Sequence, residues 1–135
     1  MGFDPRTIGK PVYEALSGLR SLPNQDDARL KEQKNQAVEL YTYLSTWGML
    51  RLKAEEEAIS KDKPGKRQVV EKFFLCLEEI AATTEYQGLS SENGLKVLLK
   101  LDTDEYLGLM GLGLAIAQEF SFWATAVYHD IKGEA

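Results

Sequence analysis

The chain has 135 residues, a length suited to one domain with a core of its own. Its 44% apolar and 27% charged content excludes a disordered or collagen-like chain. A net charge of −5 excludes a globally basic nucleic-acid binder, and a single cysteine, Cys76, excludes an internal disulfide or a cysteine-cluster metal site.

The charge is unevenly spread. Residues 1–72 carry 13 Lys/Arg against 11 Asp/Glu, a net +2. Residues 73–135 carry 3 Lys/Arg against 10 Asp/Glu, a net −7. A nucleic-acid contact therefore needs a local basic patch, and the asymmetry fits copies meeting head to tail. The opening MGFDPRTIGK has neither the basic nor the apolar region of a signal peptide. With the lone cysteine, this points to a reducing, cytoplasmic setting.

Residues 8–20 read as a first helix with Val12, Leu16 and Leu19 on one face, and Pro11 placed in the first turn. SLPNQ is a turn. Residues 26–47 read as a second helix, capped by Asp26. Its apolar positions are Leu30, Ala37, Leu40, Tyr41, Leu44 and Trp47. Gly48 marks a break, because glycine costs about 1 kcal/mol inside a helix. A third, more polar helix runs to about Ser60. KDKPGKR (61–67) reads as a loop.

A fourth helix spans about 66–86, with Val69, Val70, Phe73, Phe74, Leu77 and Ile80 buried. Ser91 is the expected cap of a short fifth helix through Leu101. Asp102 caps the last helix, and Glu105 three residues on completes a capping box. This helix is expected from Thr103 to about Ile131. Leu109, Leu112, Ile116, Phe120, Trp123 and Val127 form a large apolar lane, and Gly113, Ala117, Ser121 and Ala124 a small one. Gln118 and Glu119 interrupt the apolar run, which speaks for a bundle and against a membrane span. No segment alternates with a period of two, so no strand is expected. The fold class is all-α: a compact bundle of five to six helices in one domain, 1–135, with a long C-terminal helix.

The inventory does not favour an enzyme. His129 is the only histidine, so no His pair exists for zinc. Cys76 sits inside FFLCL and reads as a buried, inert thiol. Gly65-Lys66 fails the phosphate-loop pattern, with Ser60 in place of its first glycine and Arg67 after the lysine. Asp102-Thr103-Asp104 opens like a calcium loop, yet Gly113 stands where the loop needs Glu. The Gly108/Gly111/Gly113 cluster has no preceding strand and reads as packing. The acids of Glu55–Glu57 and Asp102–Glu105 read as solvated or capping groups. No cofactor and no metal are expected.

The candidate contacts for RNA phosphate are Lys31, Lys34, Arg51, Lys53, Lys61, Lys63, Lys66 and Arg67. Lys61, Lys63, Lys66 and Arg67 share one loop, and Arg51 and Lys53 precede it. Arg29, Lys31 and Lys34 lie on the second helix without forming one clean stripe. Phosphate contacts require no particular residue order, only accessible cations.

Three stretches carry a family resemblance. VELYTYLSTWGMLRLKA (38–54) is similar to a helix ending in a Gly-Leu junction, with Gly48-Met49 in that place. GLKVLLKL (94–101) is similar to a short leucine-rich helix, and EYLGLMGLGLAIAQEFSFWATAVY (105–128) to a long last helix with a Tyr-Leu start. Tyr13 with Leu16 fits the first helix. Together these resemble the small subunit of Cmr-type (type III-B) CRISPR effector complexes. Met110 and Leu112 stand where that family often has a Thr and a Glu. The resemblance implies a non-catalytic subunit in antiviral defence. It would stack head to tail with copies of itself, support the guide RNA–target RNA duplex, and contact other effector subunits. The alternative is a helical protein-interaction adaptor unrelated to nucleic acid.

Overall fold

The computed structural model describes residues 6–58, 63–81 and 86–132. Among the described residues six α-helices follow in order: α1 Arg6–Arg20, α2 Asp27–Trp47, α3 Met49–Ala58, α4 Pro64–Ala81, α5 Gly94–Lys100 and α6 Thr103–Val127. No strand occurs among the described residues. The bundle is all-helical, and α6 is its longest element.

Local signals set most boundaries. The Asp26 side chain accepts the Arg29 amide at 2.9 Å and starts α2. Gly48 adopts φ +88°, ends α2 and releases the chain directly into α3. At α6 the capping box is complete: Asp102 accepts the Glu105 amide at 2.8 Å, and Glu105 accepts the Asp102 amide at 2.9 Å.

Four expectations shift. α1 begins at Arg6, so Pro11 lies in its second turn and the Thr7 carbonyl forgoes a partner. Thr7 is exposed, so water can take up that carbonyl. α4 begins at Pro64, whose fixed φ suits a first helical position, which puts Lys66 and Arg67 on a helix. α5 begins at Gly94, and Ser91 instead closes the preceding turn by donating to the Gly88 carbonyl at 2.6 Å. α6 ends at Val127, short of Ile131.

α6 packs on α2, α1 and α4, and α3 pairs with α5 at the side of this bundle. The core joins Val12 and Leu16 of α1, Leu40 and Leu44 of α2, Phe73 and Phe74 of α4, and Ile116 and Phe120 of α6. Phe73 meets Phe74 and Phe120 edge-on, at centroid distances of 5.1 and 6.0 Å. Each such side chain contributes about 1.5–3 kcal/mol by burial. The small lane of α6 is inside: Gly113, Ala117 and Ala124 are buried, and Ser121 donates to the Ala37 carbonyl of α2 at 3.2 Å. A Cβ on Gly113 would lie 2.5 Å from Met49 Cε, so the end of that α3 side chain rests directly against the glycine. Leu112, Trp123 and Val127 are only half-buried, and Trp47 is exposed.

A polar chain fastens the end of α6. Tyr128 is fully buried and donates to Gln33 Oε1 at 2.7 Å. Gln33 Nε2 donates to Gln25 at 2.7 Å and Gln68 at 3.0 Å. Arg20 grips Asp130 with both amino groups, at 2.6 and 2.7 Å, and donates to the Val127 carbonyl. Tyr128→Phe leaves the buried Gln33 carbonyl oxygen without its donor. We expect a loss of roughly 1–3 kcal/mol, read as a lower urea midpoint at unchanged slope.

The hydrogen bond from Arg20 holds the Asp130 carboxyl down at about 2, below the ordinary 3.8. A depressed carboxyl contributes stability above its unfolded value and loses it as pH falls through the folded one. The stability difference between wild type and Asp130→Asn should therefore be constant near neutrality. It should shrink between about pH 4 and pH 2, as measured by denaturation at each pH.

Candidate nucleic-acid interface

The first turn of α4 sits directly on α2. The Gly65 amide donates to Glu32 Oε1 at 2.9 Å. A Cβ on Gly65 would lie 2.6 Å from Glu32 Cβ and 2.7 Å from the Arg29 carbonyl oxygen, so only glycine permits this seat. Gln68, one turn on, faces the same way and meets Gln33. Lys63, Lys66 and Arg67 take the remaining directions around the start of α4. Lys63 and Arg67 are exposed and Lys66 is half-buried. The helix dipole adds positive potential at this end.

The adjoining turn of α2 supplies Arg29, half-buried, and Lys31, exposed and about 100° around the helix from Glu32. Among the described residues no ion pair joins Lys31, Lys63 or Lys66 to a carboxylate; Arg67 lies 3.2 Å from Glu71. Lys61 lies outside the described residues.

The other candidate cations have different work. Lys53 is fully buried, so it is not a surface phosphate contact. Its ammonium lies 2.7 Å from Glu56 Oε2 and 4.6 Å from the Phe74 ring centre. Its stem runs under Gly94, where a Cβ would meet Lys53 Cε at 2.1 Å. Lys53 thus ties α3 to α4 and α5. Desolvation pushes the Glu56 carboxyl up, opposed by the Lys53 hydrogen bond. Lys34 is half-buried and donates to the Ile131 carbonyl at 2.5 Å, closing the turn after α6. Arg51 is exposed, with its guanidinium 4.2 Å above the Trp47 ring.

Of the acids in Glu55–Glu57 and Asp102–Glu105, Glu57 and Asp104 are exposed, Glu56 is buried rather than solvated, and four have partners. Tyr43 donates to Glu55, Glu56 pairs with Lys53, and Asp102 and Glu105 form the capping box. Among the described residues no group of three or more His, Cys, Asp or Glu side chains is placed to hold a metal ion. Burial pushes the Cys76 thiol up to about 12, far from a reactive thiolate at neutral pH. His129 is exposed just beyond α6.

The candidate interface is therefore the α2–α4 corner: Lys63, Lys66 and Arg67, with Arg29 and Lys31 beside them. Arg29 joins through the approach at Gly65, which the sequence signals only as a glycine after a proline. No protein-family model, curated protein or solved structure matches this chain.

Removing one partner of a buried ion pair strands the other charge. Lys53→Met should cost about 3–5 kcal/mol by urea denaturation, because Glu56 is 6% exposed. Lys53→Met combined with Glu56→Met should recover most of that loss. A cost no larger than that of an exposed lysine would show that Lys53 is not locked in the core.

Proposed function

We propose that this chain is a non-catalytic scaffold subunit of an RNA-guided effector of the type III-B (Cmr) CRISPR class. In this reading it stacks head to tail, contacts neighbouring effector subunits, and supports the guide RNA–target RNA duplex. The observation that carries the reading is the basic α2–α4 corner. Gly65 brings the positive end of α4 against α2, so that Lys63, Lys66 and Arg67 stand beside Arg29 and Lys31. Such a corner offers phosphate contacts blind to sequence, as holding a guided duplex requires. The sequence resemblance supplies the class, and the acidic second half gives a charge-based reason for stacking.

A second reading, a helical adaptor unrelated to nucleic acid, is favoured by the exposed apolar side chains on α6, Leu107 at 61% and Phe122 at 59%. The two readings part on RNA. Tagged protein purified from its source cells should bring down short guide RNAs in the first reading and none in the second. Lys31→Glu/Lys63→Glu/Lys66→Glu should weaken retention of duplex RNA and lower the log–log salt slope by roughly two to three units. Its far-ultraviolet circular dichroism should be unchanged. Retention at low salt equal to wild type removes this corner from the RNA-binding surface.

A further inference from the structure

We infer that the seam between α1 and α6 holds a pocket for one unpaired guanine of a single RNA strand. This goes beyond the duplex reading: it uses other residues, reads base identity, and does not depend on the α2–α4 corner.

The pocket starts from a glycine. Gly9 is buried on α1 where that helix packs on α6. A Cβ there would lie 2.9 Å from Glu119 Oε1 and 3.4 Å from Trp123 Nε1. Glu119 and Trp123 are about one turn apart on α6 and share a face. With no Cβ between them, a carboxylate and an indole N–H converge on one spot. Arg6, Lys10 and Tyr13 complete the lining of a cavity of about 370 Å³.

Two features there call for something from outside. The indole N–H of Trp123 is buried, and among the described residues no acceptor reaches it. A buried donor left without a partner is costly, and folded proteins carry few of them. Tyr13 meets the Trp123 ring edge-on at 5.3 Å, yet keeps 46% of its surface in solvent. An aromatic ring that open is a stacking platform.

The chemistry narrows the ligand. An aliphatic side chain or an alkylammonium has no acceptor to offer the indole. Lys10 and Arg6 also repel a cation. A flat ring with donors beside an acceptor fits, with a phosphate close by, and that is a nucleotide. Among the four bases only guanine sets two N–H donors, N1 and N2, next to an acceptor, O6, on its pairing edge. A carboxylate accepts both donors at once. Glu119 thus takes N1–H and N2–H, the indole N–H of Trp123 donates to O6, and the base lies on Tyr13. The rotatable head of Glu119 swings off Gly9 to admit the base edge. Lys10 supplies the phosphate contact. It lies 4.0 Å from Glu14 in an exposed pair, which contributes little, so its ammonium is free to turn.

Tyr13 also favours a strand over a free nucleotide. It lines a second cavity of about 390 Å³ with Ser17, Arg20 and His129. Gly9 lies about one turn before Tyr13 and Ser17 about one turn after it, so the two cavities adjoin along the seam. A strand whose guanine fills the first can lay its next nucleotide in the second.

The test uses labelled uridine pentamers with a central G, A, C or U, titrated with the full chain at low salt. The G pentamer should bind about tenfold tighter than the others, the discrimination of one bidentate pair. Glu119→Gln should erase that preference and leave the urea midpoint unchanged. Tyr13→Leu should weaken all four pentamers. In nitrogen–proton NMR spectra the G pentamer should shift the indole N–H of Trp123 and leave that of Trp47 in place, with Trp123→Phe assigning the signal. Lys31→Glu/Lys63→Glu/Lys66→Glu should keep the guanine preference whatever becomes of duplex retention. Equal binding of the four pentamers overturns the proposal, as does no saturation by about 1 mM. So does a Glu119→Gln chain that still prefers guanine, or a shift at Trp47 in place of Trp123. Guanosine 5′-monophosphate binding as tightly as the G pentamer refutes the strand. A Trp123 shift produced by an uncharged pentapeptide and not by RNA refutes the base and assigns the cavity to a protein partner.

Discussion

The three other long helices, α1, α2 and α4, all pack on α6, and they can do so because its inner side is narrow. Gly113, Ala117 and Ala124 let neighbouring side chains reach the helix backbone, and Phe120 and Ile116 fill the spaces between. At Gly113 an added methyl group would push aside the end of the Met49 side chain, while Leu44 and Phe73 would stay at ordinary contact distance. In a close-packed interior such a shift is passed on to the neighbours. Small residues (Gly113, Ala117, Ala124) thus alternate with large ones (Leu109, Ile116, Phe120) on the inner side, while Leu107 and Phe122 are left outward.

The same constraint governs the charges. Burying an ammonium costs several kcal/mol unless a partner and good geometry offset it. Lys53 meets that condition with Glu56 beside it and the Phe74 ring near its ammonium. Arg20 donates to the Val127 carbonyl that α6 leaves open at its end, where cations are favoured, and Lys34 donates to the Ile131 carbonyl of the turn beyond it. Lysines of similar appearance in the sequence therefore divide into fold-bearing and surface groups. Lys31, Lys63 and Lys66 remain for an outside anion.

Much of the fold was legible in the sequence because its signals are local. Asp26, Gly48 and the Asp102–Glu105 box each act within one helical turn, and each sits where its pattern places it. Apolar spacing gave the inner faces of α1, α2 and α4. What stayed hidden depends on residues far apart in the chain. Nothing near Lys53 announces that Gly94 will close over it, and nothing near Lys34 announces Ile131. Trp47 continues the apolar period of α2, but Gly48 turns the chain away one residue later and leaves the indole in solvent. The short helices suffered most: α5 is too brief for periodicity to fix its start, and Ser91 offered a cap that the turn at Gly88 claimed first. Of the candidate cations, Lys63, Lys66 and Arg67 lie together at the start of α4 with Lys31 on the adjoining turn of α2, while Lys34, Arg51 and Lys53 are engaged elsewhere in the fold.

The basic corner and the outer face of α6 draw on different physics, and that separates them experimentally. Phosphate contacts release counterions and weaken steeply with salt. Burial of Leu107 and Phe122 removes apolar area from water, and added salt does not weaken that term. The two surfaces also belong to different elements, one to the start of α4 on α2 and the other to α6. Occupying one leaves the residues of the other in place. The fold demands neither Lys63 and Lys66 at the start of α4 nor Gly108 and Gly111 on α6, and residues that a fold does not demand are where its outside partners are best sought.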